Sequence, residues 1–106
     1  MGKTKVVNLR KYPYEIYIGR GSKWGNPHKI GVGCDRMTSI RRYFDDLRKN
    51  QKLIDGTVEL QGKILGCYCA PLPCHGHILA TLADGEEYGY RTVEGKVTIR
   101  RSNINA

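Results

Sequence analysis

The chain has 106 residues, of which 40% are hydrophobic and 26% are charged. These values favour one small folded domain over residues 1–106 and argue against a disordered chain. No apolar run approaches the ~20 residues that a membrane helix needs. The N-terminal residues lack the apolar core of a signal peptide, so we expect a cytoplasmic protein, in the host cytoplasm if a phage encodes it.

The positive charge lies in the first half of the chain. The net charge is +8, and residues 1–50 contain 12 Lys and Arg against 4 Asp and Glu, whereas residues 51–106 contain 6 of each class. This distribution favours an anionic partner, either a nucleotide-like small molecule or nucleic acid, over a merely solubilising surface. A membrane partner is not expected, because no basic amphipathic helix with a large apolar face is visible.

The first half predicts two strands, a loop and a helix. Residues 6–9 and 15–18 are rich in strand-forming side chains. Residues 19–33, called the glycine loop here, contain five glycines and one proline, which is typical of a long loop. A helical face follows, with apolar residues spaced by three or four and Asp35 or Thr38 as its cap. That face consists of Met37, Ile40, Tyr43, Phe44 and Leu47.

The second half predicts a strand, a helix and a hairpin. Residues 53–63 are ambiguous and leave a short helical turn open. Residues 63–69 form a third strand, and residues 74–84 a second helix with Ile78, Leu79 and Leu82 facing inward. A C-terminal β-hairpin follows at residues 90–93 and 96–100.

This order predicts an α/β fold with a small Rossmann-like sheet, mixed parallel and antiparallel, and two main helices. Ligands of such sheets bind beyond the carboxyl ends of the strands. Two stretches follow such ends, the glycine loop and the Cys–His segment, residues 66–77 ("GCYCAPLPCHGH"). If their strands are parallel neighbours, the two stretches meet in one pocket.

The glycine loop contains candidate ligand-binding residues. Glycines allow backbone amides to approach a phosphate, and Arg20, Ser22 and Lys23 would complete an anion site. Trp24 stands beside these cations, as an aromatic residue that stacks on a base does, and Asn26 would fix the exit of the turn. The alternative is that Trp24 belongs to the core and that the glycines serve turns alone.

The Cys–His segment allows three interpretations. Cys67, Cys69, Cys74 and His77 form a ligand set that suits zinc, although their spacing is unusual for a zinc site. Alternatively, Cys74 lies at the start of a helix, where the helix dipole favours a thiolate, and His75 or His77 is its proton partner. In the third interpretation the cysteines are small core residues and His75 is a hydrogen-bonding residue at the helix start.

These stretches resemble a family of small phage and bacterial proteins known as a domain of unknown function. The resemblance covers roughly residues 15–83. Its matching residues are Tyr17 to Arg20, Lys23 to Pro27, Leu60, Gly62, Lys63, Leu65, Cys67 to Gly76 and Leu79. It implies that both stretches build one site, and it implies no reaction. His28 stands where the family usually has Phe, and His77 stands where an acidic residue is common, which weakens the zinc interpretation.

We therefore expect a pocket, formed by the glycine loop and the Cys–His segment, that binds a nucleotide-like or phosphorylated ligand. Two alternatives remain open. One is an enzyme acting on nucleotides or nucleobases through Cys74 and His75. The other is a zinc-stabilised module that binds nucleic acid or a host protein. Zinc is the cofactor left open, and the sequence indicates no oligomeric state.

Overall fold

A computed structural model describes residues 3–70 and 72–102. Its central sheet has three parallel strands, β1 Lys5–Asn8, β2 Ile16–Tyr17 and β3 Ile64–Cys67. The strand order is β1–β3–β2, with β3 paired to both neighbours. Because parallel strands end at the same edge, the segments that follow β2 and β3 begin side by side.

Helices fill the connections between the strands. α1 spans Arg36–Arg48, α2 spans Gln51–Gly56, and a 3-10 turn follows at Thr57–Leu60. The Asp35 carboxylate accepts a hydrogen bond from the Thr38 amide at 2.8 Å and caps α1, and Asn50 caps α2 in the same way. These caps satisfy amides that have no partner within the helix, so α1 begins at the residue that its cap specifies.

The last helix, α3, spans His75–Ala83 and packs against β1 and β3. Ile78, Leu79 and Leu82 of α3 are fully buried. The contact with the sheet is close, since a Cβ atom at Gly76 would lie 2.7 Å from Ile18 Cδ1. A glycine at this position therefore lets the start of α3 lie directly on the strands.

The C-terminal strands form a separate antiparallel hairpin, β4 Tyr88–Thr92 and β5 Gly95–Ile99. Tyr90 of β4 packs edge-on against Phe44 of α1, with ring centroids 4.8 Å apart. The Tyr90 hydroxyl donates to Asp45 at 3.1 Å. The hairpin thus extends the apolar core along α1 and adds no strand to the parallel sheet.

The α/β class, the parallel pairing and the C-terminal hairpin are confirmed, and several details differ. The antiparallel strands form their own sheet. The two main helices are α1 and α3, and the short α2 and the 3-10 turn overlap residues 53–63, where a short helical turn was left open. The hairpin turn lies at residues 93 and 94, one position before the expected turn. Met37 is 64% exposed rather than part of the buried face of α1. Within the described ranges, no helix has the length and apolar character needed to cross a membrane.

Candidate anion-binding site

The glycine loop and the Cys–His segment meet at the carboxyl edge of the parallel sheet. Together with the start of α1 they enclose a cavity of about 300 Å³, which we call the anion cavity. Its lining residues are Arg20, Asn26, His28, Lys29, Ile30, Arg36, Ser39, Ile40, Cys69, Pro73, Cys74 and His75. The cavity therefore joins residues from both stretches, as the parallel order of β2 and β3 requires.

The charge of the anion cavity is positive. Arg20, Lys29 and Arg36 line it, and none of its described lining residues is acidic. In the part of the chain that the structure describes, no carboxylate forms an ion pair with any of these three cations. Arg36 Nη1 donates to the carbonyl of Pro73 at 3.1 Å, which holds this guanidinium at the rim. Uncompensated cations around a concave site attract anions.

Two helices begin at the anion cavity. Arg36 and Ser39 come from the first turn of α1, and His75 is the first residue of α3. The free amides and the dipole of a helix N-terminus favour an anion there. The helix starts therefore add to the field of the three cations.

His75 is buried at the floor of the cavity. Its Nε2 lies 2.7 Å from the carbonyl oxygen of Ile18, and its ring packs edge-on against Tyr43 at 4.9 Å. A carbonyl only accepts, so Nε2 bears the proton and Nδ1 is the unprotonated nitrogen of the neutral ring. Burial lowers the pKa of His75, which keeps the ring neutral near neutral pH and gives it a basic nitrogen.

Two thiols form a buried pair beside His75. Cys67 Sγ, at the end of β3, lies 3.4 Å from Cys74 Sγ, at the cap of α3. This hydrogen bond lowers the pKa of Cys67 to about 6, and the same bond together with burial raises the pKa of Cys74. The pair therefore loses one proton readily and holds the other, and it titrates as a unit. Cys74 lines the cavity, whereas Cys67 lies behind it.

Three of the five ligand-binding candidates, Ser22, Lys23 and Trp24, are not among the residues that line the anion cavity. Ser22 Oγ donates to the carbonyl of Gly19 at 2.7 Å and closes a turn. Lys23 Nζ binds the Glu59 carboxylate at 3.1 Å and lies over the Trp24 ring. Trp24 is 3% exposed and belongs to the core. A stacking role for Trp24 stays a prediction, and its buried ring is not among the residues that line the anion cavity.

Asn26 and His28 line the cavity and also hold the loop to α1. Asn26 Nδ2 donates to Ser39 Oγ at 2.9 Å, and Asn26 Oδ1 accepts from the amide of His28. His28 Nε2 lies 2.7 Å from Asp46 Oδ2. Asn26 thus fastens the end of the glycine loop to α1. Its side chain also lines the anion cavity.

The four residues considered for zinc are not assembled into one site. His77 Nδ1 accepts a hydrogen bond from the backbone amide of Cys74 at 3.2 Å, so its ring turns back onto the start of α3. Across residues 3–70 and 72–102, no three His, Cys, Asp or Glu side chains are grouped as a metal ion requires. Cys67, Cys69, Cys74 and His77 therefore do not form the four-ligand set that was considered for zinc.

Two cavity cations, Lys29 and Arg36, were not among the sequence candidates. Arg36 follows the capping residue Asp35, and a helix between parallel strands can begin at the same edge as the ligand site. The cap signal could therefore have identified Arg36. Lys29 had no comparable signal, because its position depends on the path of the glycine loop.

The comparison with protein families decides the classification. The model of a family described as a domain of unknown function, DUF4326, matches residues 2–85. The chain belongs to this family. All residues that line the anion cavity lie within the DUF4326 match, whereas both strands of the hairpin lie beyond it.

A relative of the chain comes from a phage. The chain is 34% identical over 84 residues to a protein of Enterobacteria phage T4 described as an uncharacterized 12.4 kDa protein in the nrdA-td intergenic region. The match covers 76% of this chain and 77% of the phage protein. No solved structure matches the chain.

Proposed function

We propose that the anion cavity binds a phosphorylated, nucleotide-like small molecule in the cytoplasm of the producing cell. The observation that supports this most directly is the grouping of Arg20, Lys29 and Arg36 around one cavity without a lining carboxylate. Guanidinium and ammonium groups are the usual partners of phosphate oxygens. The phosphate would lie among these cations and the helix starts.

The size of the cavity supports a small ligand. Its volume of about 300 Å³ lies near the lower end of the range for ligand pockets, roughly 300–1,000 Å³. Ile30, Ile40 and Pro73 form an apolar part of the wall. A mononucleotide presents the matching combination of one anionic end and one flat, less polar end.

The test is calorimetric titration with inorganic phosphate, a nucleoside monophosphate and the corresponding nucleoside. We expect the monophosphate to bind more tightly than either of the other two. Arg36→Gln should weaken its binding about tenfold, the effect of losing one charge-assisted hydrogen bond. Arg42→Gln is the matched control, because Arg42 is an exposed residue of the same helix. Equal affinities for nucleoside and monophosphate would contradict the proposal.

A specific observation favours an enzyme as the second candidate. The neutral His75 and the Cys74 thiol both line the cavity, so a base and a potential nucleophile stand beside the proposed anion site. This enzyme would act on nucleotides or nucleobases. It should lose turnover and keep its fold and its ligand affinity when Cys74 is replaced by Ser.

A further inference from the structure

The parallel sheet has a second face, opposite α3, that is open to solvent. Side chains alternate across a strand, and β1, β3 and β2 place Val7, Gly66 and Tyr17 in one register row on this face. Val7 and Tyr17 are partly exposed. We call this surface the open face, and it is distinct from the anion cavity because it shares no lining residue with it.

Three tyrosines with large exposed areas lie on or beside the open face. Tyr14 is 44% exposed and lies against the backbone of Gly66, where an added Cβ would be 2.6 Å from Tyr14 Cγ. Tyr68 follows β3 directly and is 56% exposed, and Tyr12, in the turn after β1, is 59% exposed. Solvent contact of this extent leaves aromatic rings available for stacking on a partner.

Hydrogen bonds hold these aromatic segments together. Asn8, the last residue of β1, donates through Nδ2 to the carbonyls of Tyr68 and Ala70 at 3.4 and 3.1 Å. The backbone oxygen of Asn8 accepts from the amide of Tyr12 at 3.1 Å. The turn after β1 and the segment after β3 therefore form one surface in the free protein, which lowers the cost of ordering them on binding.

Cations alternate with these rings. The Arg10 guanidinium lies over the Tyr68 ring, 5.1 Å from its centroid. Lys11 and Tyr12 border a groove of about 220 Å³ at the edge of β1. Lys5 lies in the adjoining row of the open face beside Ile64. The acidic residue of that row, Glu15, is engaged by the amide of Ile64 at 3.0 Å.

From this arrangement we propose that the open face binds single-stranded nucleic acid. Bases stack on exposed aromatic rings, and the backbone phosphates require neighbouring cations, which is the combination that Tyr12, Tyr14 and Tyr68 make with Arg10 and Lys11. Unpaired bases are needed, because in a duplex the base faces are already stacked. The excess of Lys and Arg in the first half of the chain acts in the same direction.

The test measures fluorescence anisotropy of labelled single strands of about 12 nucleotides, within the usual range of site sizes, as DNA and as RNA. We expect binding that weakens as salt rises. Tyr68→Leu should lower the affinity about tenfold, whereas Tyr68→Phe, which keeps the ring, should bind within about twofold of the wild type. Arg10→Ala should weaken single-strand binding. Lys96→Ala removes the same charge at an exposed position of the hairpin and is its control.

Three outcomes would overturn the proposal. The first is an absence of binding by the wild type at low salt. The second is an affinity for duplex equal to that for the single strand. The third is equal affinity of the Leu and Phe variants at Tyr68 while both keep the wild-type melting temperature. Arg36→Gln separates the two sites, since we expect it to weaken mononucleotide binding and to leave single-strand affinity unchanged.

Discussion

The two faces of the parallel sheet differ in what covers them. On the inner face, Leu65 and Cys67 of β3 are almost fully buried, and Gly76 brings the start of α3 into contact with the strands. On the open face, Tyr14 lies across Gly66 and keeps much of its surface in solvent. The comparison teaches that the inner face supplies stability and that the open face is free to serve recognition.

The two faces should differ most in the unfolding free energy that is lost when an apolar side chain is truncated to alanine. Leu65→Ala removes a fully buried side chain and should lower the free energy of unfolding by about 3 kcal/mol. Val7→Ala, in the adjacent strand but on the open face, should cost about 1 kcal/mol or less. Urea unfolding measures both values. Equal losses would show that the open face is a second core.

Two glycines at opposite faces of the sheet, Gly76 on the inner face and Gly66 on the open face, give a smaller contrast. In Gly76→Ala the new methyl group would meet Ile18 Cδ1 at 2.7 Å in a packed interior, so we expect a loss of about 2 kcal/mol. In Gly66→Ala the methyl group would meet Tyr14, a partly exposed ring. The contact is with Cγ and Cβ, next to the main chain, so Tyr14 must shift together with its exposed backbone segment, and we expect a loss of about 1 kcal/mol.

The same glycine pair can also test the open face. Gly66→Ala should weaken single-strand binding, because it displaces Tyr14 from the sheet. Thermal unfolding and anisotropy measured on the same samples separate the two effects. If Gly66→Ala proves as destabilising as Gly76→Ala, Tyr14 is a structural cover rather than a recognition residue.

The thiol pair of Cys67 and Cys74 should make the stability of the protein depend on pH. Hydrogen bonding to Cys74 lowers the pKa of Cys67 from 9.0 to about 6. Since the folded state releases this proton earlier than the unfolded state, stability should rise with pH between these two values. Above the unfolded value it should fall again, because the raised pKa of Cys74 keeps a proton that the unfolded chain releases.

Thiolate absorbance in the ultraviolet follows this titration directly. We expect one thiolate to appear with a midpoint near pH 6 and to shift upward in Cys74→Ala, which removes the hydrogen-bond donor. Cys34→Ala is the control, since Cys34 directly follows the glycine loop and is not part of the thiol pair. A midpoint that stays near pH 6 in Cys74→Ala would show that another group stabilises the thiolate.

Most of the fold could be read from the sequence because its signals are local. Helix periodicity identified Ile40, Phe44 and Leu47. Asp35, one of the two caps considered, is the residue that begins α1. The sheet edge at which the glycine loop and the Cys–His segment meet followed from the expectation that their strands are parallel neighbours. The hairpin's separation from the sheet had no local signal, because it depends on the packing of Tyr90 against Phe44.

The site was predicted less completely, because side-chain roles depend on remote partners. Lys23 and Trp24 look like a phosphate and base site in the sequence. In the structure Lys23 Nζ binds Glu59, 36 positions away, and the backbone oxygen of Trp24 accepts from the Tyr43 hydroxyl, 19 positions away. Arg20 and the Cys–His segment line one cavity because the parallel strands that precede them fix their positions.

The smallest expected effect concerns the contact between the open face and the anion cavity. The Tyr17 hydroxyl donates to the backbone oxygen of Arg20 at 2.9 Å, so it joins a ring of the open face to a loop residue of the cavity. Because this bond is exposed to solvent, Tyr17→Phe should cost only about 0.5 kcal/mol of unfolding free energy.

Its effect on ligand affinity is the more informative measurement. If the bond only closes the turn, Tyr17→Phe leaves both mononucleotide and single-strand affinities within about twofold. If both affinities fall together while urea unfolding stays the same, Arg20 is positioned through the open face. The two sites would then be energetically coupled, and a strand stacked on the tyrosines would favour an anion in the cavity through the same residue.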